Sequence, residues 1–368
     1  SMESDNKLFL LDAYALIYRA YYAFIKNPRI NSKGFNTSAI LGFVNTLEEV
    51  LKKENPTHIG VAFDPAGPTF RHEAFEQYKA QREETPEAIR LSVPIIKEII
   101  RAYRIPILEV AGYEADDVIG TLATEAGRQG IITYMMTPDK DYGQLVSDKV
   151  FMYRPKHTGG FEVMGVDEVK AKFDIQSPAQ VIDMLGLMGD SSDNIPGCPG
   201  VGEKTAQKLI AEFGSIENLL EHTDQLKGAL KTKVETNREM ITFSKFLATI
   251  KIDVPIQLDM DSLVREQADE DSLRQIFEEL EFRTLIDRVL KKENAGNGIT
   301  TPTGNKTAAE KSNLAPLPLF PEEGEAVQGD LFANFTGNEP GEAKNSNLAT
   351  LETLNCDYQL IDTEEKRE

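Results

Sequence analysis

GYEADDVIGTLATEAGRQGIITYMMTPDKDY, residues 112–142, is the stretch from which the fold can be worked out. Val118, Ile119, Leu122, Ala123 and Ala126 recur at helical spacing, so a helix opens just after Gly112. Glu114, Asp116 and Asp117 sit in or just before its first turn. Residues 131–137 form a short apolar run that reads as a buried parallel strand. Asp139 and Asp141 follow its C-terminal end. In an open α/β sheet, ligands bind beyond the carboxyl ends of the strands. Both acidic groups can therefore face one crevice. Acids in a first helical turn also suit the helix dipole, and Asp-x-Asp after a strand also suits a turn. Their joint position, rather than either group alone, points to a site.

Outward from this stretch the same grammar repeats. Residues 7–12 read as a buried strand ending in Asp12, and residues 58–63 as a second strand ending at Asp64. Between them, residues 38–54 carry an amphipathic helix that stops before Pro56. Strand, helix, strand implies a parallel pair with a crossover. Helix is expected over 86–103 and 166–173, strand over 105–110, and an edge strand over 150–154. From Pro178 the pattern is helical only, and residues 272–290 close the folded part. The expected fold class is α/β: a mostly parallel twisted sheet with flanking helices, plus an all-helical subdomain.

The totals fit this picture. Forty per cent apolar residues among 368 supports a sizeable core. No apolar run approaches the ~20 residues of a membrane span, and the opening lacks a secretory pattern. Cys198 and Cys356 suggest neither a disulfide framework nor a zinc site. A cytoplasmic location is expected. The net charge of −20 opposes nucleic-acid binding by bulk attraction, but its distribution matters more. Residues 293–368 carry −9, leaving −11 on the first 292, and nine acids there are assignable to one site. Without those nine the folded part is nearly neutral.

Asp12, Asp64 and Asp139 end three strands, and a parallel sheet brings those ends to one edge. Glu114, Asp116, Asp117 and Asp141 join them. Asp190 and Asp193, spaced i, i+3, would share a helix face. Nine like charges at one place call for bound cations. With no His or Cys among them, oxygen ligands favour Mg²⁺ or Mn²⁺ over zinc. Two such ions roughly 4 Å apart are an arrangement that hydrolyses phosphodiesters.

Two further features suggest a nucleic-acid substrate. Residues 197–202, Gly-Cys-Pro-Gly-Val-Gly, join two helices and place free backbone N–H groups at the start of the second, beside Lys204 and Lys208. This resembles a helix-hairpin-helix, which grips duplex DNA by its backbone without reading sequence. It is not a P-loop, because Glu203 separates Gly202 from Lys204. Residues 70–82 mix Phe70, Arg71, Phe75, Tyr78, Lys79 and Arg82, bases with aromatics, as an extruded single strand would need. On a helix, Lys79 and Arg82 would point together across the crevice. With few core-type residues, this segment is expected to be disordered without DNA. A nuclease and a catalytically inactive DNA-binding module are the two function classes to weigh. A missing carboxylate would favour the second, and none is missing.

LLDAYALIYRAYYA (10–23), VAFDPAGPTFRHEAFEQYKAQR (61–82), GYEADDVIGTLA (112–123), TPDKDYGQLV (137–146) and GDSSDNIPGCPGVGEKTA (189–206) occur in that order. Together they resemble the 5′-nuclease domain of bacterial DNA polymerases I, in the flap endonuclease family, over roughly residues 7–291. The resemblance implies a PIN-like fold and a divalent-metal 5′→3′ exonuclease and flap endonuclease acting in DNA replication and repair. Its substrate would be duplex DNA with a 5′ flap, nick or RNA primer. It implies that all nine acids are metal ligands, direct or through water. It also implies that Lys79 and Arg82 contact the scissile phosphate and that Tyr18, Arg19 and Arg71 lie near the substrate. A potassium ion would sit at the hairpin around Ser192, Gly197, Gly200, Val201 and Gly202.

The domain expectation is then a nuclease core over 1–177 with a helical arch at about 65–90, and a helical unit over 178–292. A disordered linker over 293–347 and the truncated start of a following domain over 348–368 would complete the chain, as part of a longer, monomeric protein. Within the linker, Gln328-Gly329-Asp330-Leu331-Phe332 resembles peptides that bind the bacterial sliding clamp.

Overall fold

The computed structural model describes residues 5–80, 82 and 84–290. Its centre is a six-stranded sheet in the order β3-β2-β1-β4-β5-β6, formed by β1 (Lys7–Asp12), β2 (His58–Ala62), β3 (Ile107–Leu108), β4 (Ile132–Met136), β5 (Val150–Pro155) and β6 (Phe161–Met164). All neighbours are parallel except β5 and β6. β1 lies between β2 and β4, so the chain reverses its direction of winding there. Ligand crevices open at such a point.

Helices cover both faces, which is why Leu8-Phe9-Leu10-Leu11 is apolar without alternation. Leu8 and Leu10 pack into one core with Val118, Ile119 and Leu122 of α5 (Ala115–Arg128). Phe9 and Leu11 pack into the other, with α1 (Ala13–Ala23), α2 (Ser38–Lys53) and α4 (Glu87–Ala102). A short α3 (Phe70–Ala74) precedes α4, and α6 (Val166–Phe173) follows β6.

The helical part comprises α7 (Val181–Met188), α8 (Glu203–Phe213), α9 (Ile216–Glu221), α10 (Gly228–Thr236), α11 (Arg238–Ala248) and α12 (Met260–Leu263). Its apolar side chains merge with the α5 face of the sheet into one cluster. The last two helices, α13 (Glu270–Glu279) and α14 (Arg283–Leu290), instead pack into the opposite core, although both were expected in the helical unit. Among the described residues no helix is long and apolar enough to cross a membrane.

Several expectations are corrected. Residues 272–290, read from the sequence only as the close of the folded part, lie in two helices, because Glu281 turns the chain at φ +63° and Phe282 N–H donates back to Phe277. β5 is not an edge; β6 pairs with it through a turn using Gly159 and Gly160 at positive φ. The strand over 105–110 shrinks to Ile107–Leu108, since Pro106 has no N–H to give to a ladder. Asp190 and Asp193 share a turn rather than a helix: Gly189, φ +74°, ends α7, and Asp190 and Ile195 exchange backbone hydrogen bonds. Lys79 and Arg82 are not helical either, as α3 stops at Ala74 and Lys79 is left-handed at φ +57°. The linker, the start of a following domain and residues 328–332 lie outside the described residues.

Candidate active site

Local chemistry fixes each acid at the carboxyl edge of the sheet. β1 runs straight into α1, so Asp12 caps that helix, and its Oδ2 accepts from Tyr142 Oη at 3.0 Å. Asp64 lies two residues beyond β2 and accepts from Ala115 N, joining the β2 end to the start of α5. Glu114 caps α5, and Glu114 N donates to Asp117 Oδ2 at 3.1 Å. Asp139 caps a 3₁₀ turn (Lys140–Leu145), accepting from Asp141 N at 3.0 Å. Asp12, Asp64, Glu114, Asp116 and Asp139 line one narrow cleft with Tyr14, Ala15 and Lys79. Beside it, Asp141, Asp190 and Asp193 bring carboxylate oxygens within 4.8 Å of one another, as do Glu114, Asp116 and Asp117.

Burial makes these charges costly. It raises the Asp12 carboxyl to about 6 and, helped by the neighbouring Asp193 charge, Asp139 to about 7. Burial and adjacent acids hold Asp64, Asp116 and Asp141 well above the usual range. Glu114 and Asp190 behave oppositely. Burial would raise Glu114, but Lys79 and Arg71 outweigh it and hold the group below the ordinary carboxylate range. Lys140 and Ser192 do the same for Asp190. Asp116 Oδ1 and Asp141 Oδ1 are buried without a hydrogen-bond partner. Buried carboxylate oxygens with unfilled lone pairs, in an oxygen-only set, suit a hard divalent cation that would hold them ionised.

Cations from one segment close over the acids. Arg71, buried, forks onto Asp117 (Nη1–Oδ2 and Nη2–Oδ1, both 2.8 Å) and also donates to Glu114. Lys79 Nζ reaches Glu114 Oε1 at 2.6 Å, and Tyr78 Oη donates to the same carboxylate. Arg82 pairs with Asp193 and donates to Ser192 O at 3.1 Å. These ion pairs dock the segment together with Tyr78 and Phe75, which pack against the core, and Phe70, whose ring lies against Tyr113 and Phe246. Arg71, expected near the substrate, faces Glu114 and Asp117 at the acidic site. Tyr18 and Arg19 do not line the cleft. Tyr18 Oη donates to Thr85 Oγ1 at 3.1 Å and Arg19 to Lys156 O at 3.0 Å.

The hairpin between α7 and α8 is built by close backbone approach. Gly197, at φ +65°, lies so near Gly189 that a Cβ on it would sit 2.7 Å from Gly189 Cα. Gly197 N donates to Ser244 Oγ (2.9 Å) and Cys198 N to Leu187 O (2.7 Å). Gly202 then caps α8, with Lys204 and Lys208 exposed one turn apart. Ser192 Oγ donates to Asp190 Oδ1 at 2.6 Å, so the turn before the hairpin belongs to the acidic site.

Comparison with known proteins gives this geometry a family. The N-terminal resolvase-like domain of 5′-3′ exonucleases matches residues 7–174, and their C-terminal SAM-fold domain matches residues 176–271. The chain belongs to the 5′-3′ exonuclease family. DNA polymerase I of Bacillus caldotenax is 42% identical over 287 residues, covering 77% of this chain and 32% of the relative. That of Bacillus subtilis is 43% identical over 291 residues, covering 78% and 33%. The chain thus spans about a third of the length of these relatives. The zinc-bound T5 5′-exonuclease shares the fold, with a TM-score of 0.59 at 19% identity over 75% of this chain and 99% of that one. The bacteriophage T5 flap endonuclease, solved with DNA and metal ions, aligns with a TM-score of 0.57 at 20% identity over 75% and 100%.

Sequence reasoning missed Tyr142 and Lys140, and read Tyr78 as an aromatic for a single strand, not as a donor to Glu114. A tyrosine directly after an acid pair carries no pattern of its own, and its partner Asp12 is 130 residues away.

Proposed function

We propose that the chain hydrolyses phosphodiesters at 5′ ends and 5′ flaps of duplex DNA, clearing primers and displaced strands as the N-terminal part of a DNA polymerase I. The carrying observation is the pair of acidic groups at the sheet's carboxyl edge, with two buried, unpartnered carboxylate oxygens and a lysine at the cleft. Asp12, Asp64, Glu114, Asp116 and Asp139 would hold one Mg²⁺ or Mn²⁺, and Asp141, Asp190 and Asp193 would support a second. Divalent ions, when bound, supply the charge that makes water a nucleophile at neutral pH and stabilises an in-line transition state. The chain's own residues do the rest. Tyr142 holds Asp12 in one rotamer, and Arg71 neutralises Glu114 and Asp117 so that both can sit beside further anions. Lys79 leaves Glu114 for the scissile phosphate when substrate enters, and Arg82 follows from Asp193. Residues 197–202, Lys204 and Lys208 hold the duplex backbone, with K⁺ at the turn.

The test is cleavage of a 3′-labelled 5′-flap duplex with Mg²⁺ and with EDTA, for the wild type and Asp139→Asn. Mg²⁺-dependent cuts at the junction, lost in the variant, are expected. Binding without cleavage would sink the enzyme reading in favour of a DNA-binding module. We also propose that residues 328–332 bind a sliding clamp. Calorimetry with Leu331→Ala/Phe332→Ala should show no binding, and unchanged affinity would refute it. A cytoplasmic monomer is the assembly this function needs, and a sedimentation mass of twice the chain would contradict it.

A further inference from the structure

The end of α11 and the residues just after it are bonded to both carboxylate-bearing elements of the site. Leu247 O and Thr249 O accept from Arg71 Nε (3.0 Å) and Nη2 (2.7 Å). Ala248 O accepts from Gln144 Nε2 at 2.9 Å, and Ile250 N donates to Gln144 Oε1 at 2.8 Å. Lys251 N donates to Asp117 Oδ1 at 2.8 Å. Gln144 belongs to the 3₁₀ turn that carries Asp141 and follows Asp139, while Arg71 and Asp117 belong to the Glu114 group. Residues 247–251 are therefore bonded to both carboxylate-bearing elements. One turn earlier, buried Ser244 accepts from Gly197 of the hairpin. α11 also lies close along α7, because Gly186 leaves only 3.2 Å between a would-be Cβ and Lys245 Cα.

A hairpin that grips the backbone without reading bases cannot choose a cutting position by sequence. The choice must come from a fixed distance between the grip and the acids. A misplacement of ~1 Å can cost about 100-fold in rate. We propose that α11 and residues 247–251 are this spacer, a reading that rests on the metal-dependent nuclease function. Arg71 and Gln144 are positioning residues for the carboxylates, and Ser244 sets which phosphate is presented to them.

The experiment compares wild type, Gln144→Ala, Arg71→Lys and Ser244→Ala, with Asp116→Asn as the control for the acids. Mn²⁺ affinity is measured by calorimetry without DNA, duplex affinity in EDTA, and the cut position on a 3′-labelled flap. Gln144→Ala should weaken Mn²⁺ binding and lower kcat, each about tenfold, with KM and EDTA duplex affinity unchanged. Arg71→Lys, which keeps the charge but not the fork, should move in the same direction. Ser244→Ala should bind Mn²⁺ as wild type does and spread its cuts over neighbouring phosphates. If Gln144→Ala and Arg71→Lys lower only the melting temperature, or Ser244→Ala cuts at the single wild-type phosphate, the spacer is refuted while the nuclease stands. A wild type that neither binds Mn²⁺ nor cuts overturns the nuclease reading itself, and the spacer with it.

Discussion

Asp139→Asn should stabilise the metal-free protein while abolishing its activity. Burial and Asp193 raise the Asp139 carboxyl from 3.8 to about 7. A raised folded-state value means that the native state binds the extra proton. Its stabilising effect is complete below the unfolded value near 3.8 and is lost as pH rises through 7. At pH 8 the folded protein must hold the group ionised, at a cost of about 4 kcal/mol relative to the unfolded chain. At pH 5 the group is mostly protonated and the cost is about 2 kcal/mol by the same linkage. Asparagine keeps the shape and can still accept from Asp141 N, but carries no charge. In EDTA the variant should therefore be more stable than the parent by up to about 4 kcal/mol at pH 8 and by about half that at pH 5. His72, lowered by burial to about 4, loses stability in the opposite direction as pH falls below 6.5, but it is common to both proteins and cancels. Glu114 and Asp190, held low, contribute a constant amount above pH 5. Urea melts followed by circular dichroism in EDTA at the two pH values measure the difference, and the same melts in Mg²⁺ should reverse it at pH 8. A variant less stable than the parent in EDTA at pH 8, or a gap that ignores pH, would refute the electrostatic account.

Arg71→Met leaves Glu114 and Asp117 buried without their cation and should cost about 3–5 kcal/mol in urea melts; a loss under 1 kcal/mol would show that the pair is solvated. Lys79→Ala should tighten Mn²⁺ binding in the absence of DNA, because Glu114 loses one of its two ion-pair partners, and lower single-turnover cleavage at least 100-fold; weaker Mn²⁺ binding would contradict the geometry. Gly197→Ala forces a Cβ onto Gly189 at a left-handed φ and should abolish duplex binding in EDTA while Mn²⁺ affinity persists. Equal loss of both would place the hairpin inside the metal site.

The central sheet was legible because its strands obey local rules. Continuous apolar runs ending in aspartate at Asp12, Asp64 and Asp139 declare parallel strands and an acidic edge without any knowledge of neighbours. Periodicity could not say where helices break when the breaker is not glycine or proline. Glu281 at positive φ splits α13 from α14, and nothing in its side chain announces that. The same blindness hid the turn at 190–195, where i, i+3 spacing suggested a helix face. Most of all, the acids were visible and their holders were not. Arg71 reads as one more base in a charged segment, yet its guanidinium binds two carboxylates more than 40 residues away and two carbonyls more than 170 residues away.

That asymmetry has a physical origin. A metal site needs anions that repel one another, and residue type alone reveals them. Keeping the repelling group folded before an ion arrives needs cations placed against particular acids. Lys79 serves Glu114, Arg82 serves Asp193, Lys140 stands 3.9 Å from Asp190, and Arg71 serves Glu114 and Asp117. Their targets are set by the fold, so no spacing rule finds them. Arg71 is deeply buried and also tied to backbone carbonyls, so it is expected to stay in place when ions or DNA enter. Lys79 is partly exposed and held to the acids through a single carboxylate, so it can leave. Of these cations, Arg71 and Arg82 are both deeply buried and tied to backbone carbonyls, whereas Lys79 has the freedom that the proposed exchange onto a phosphate requires.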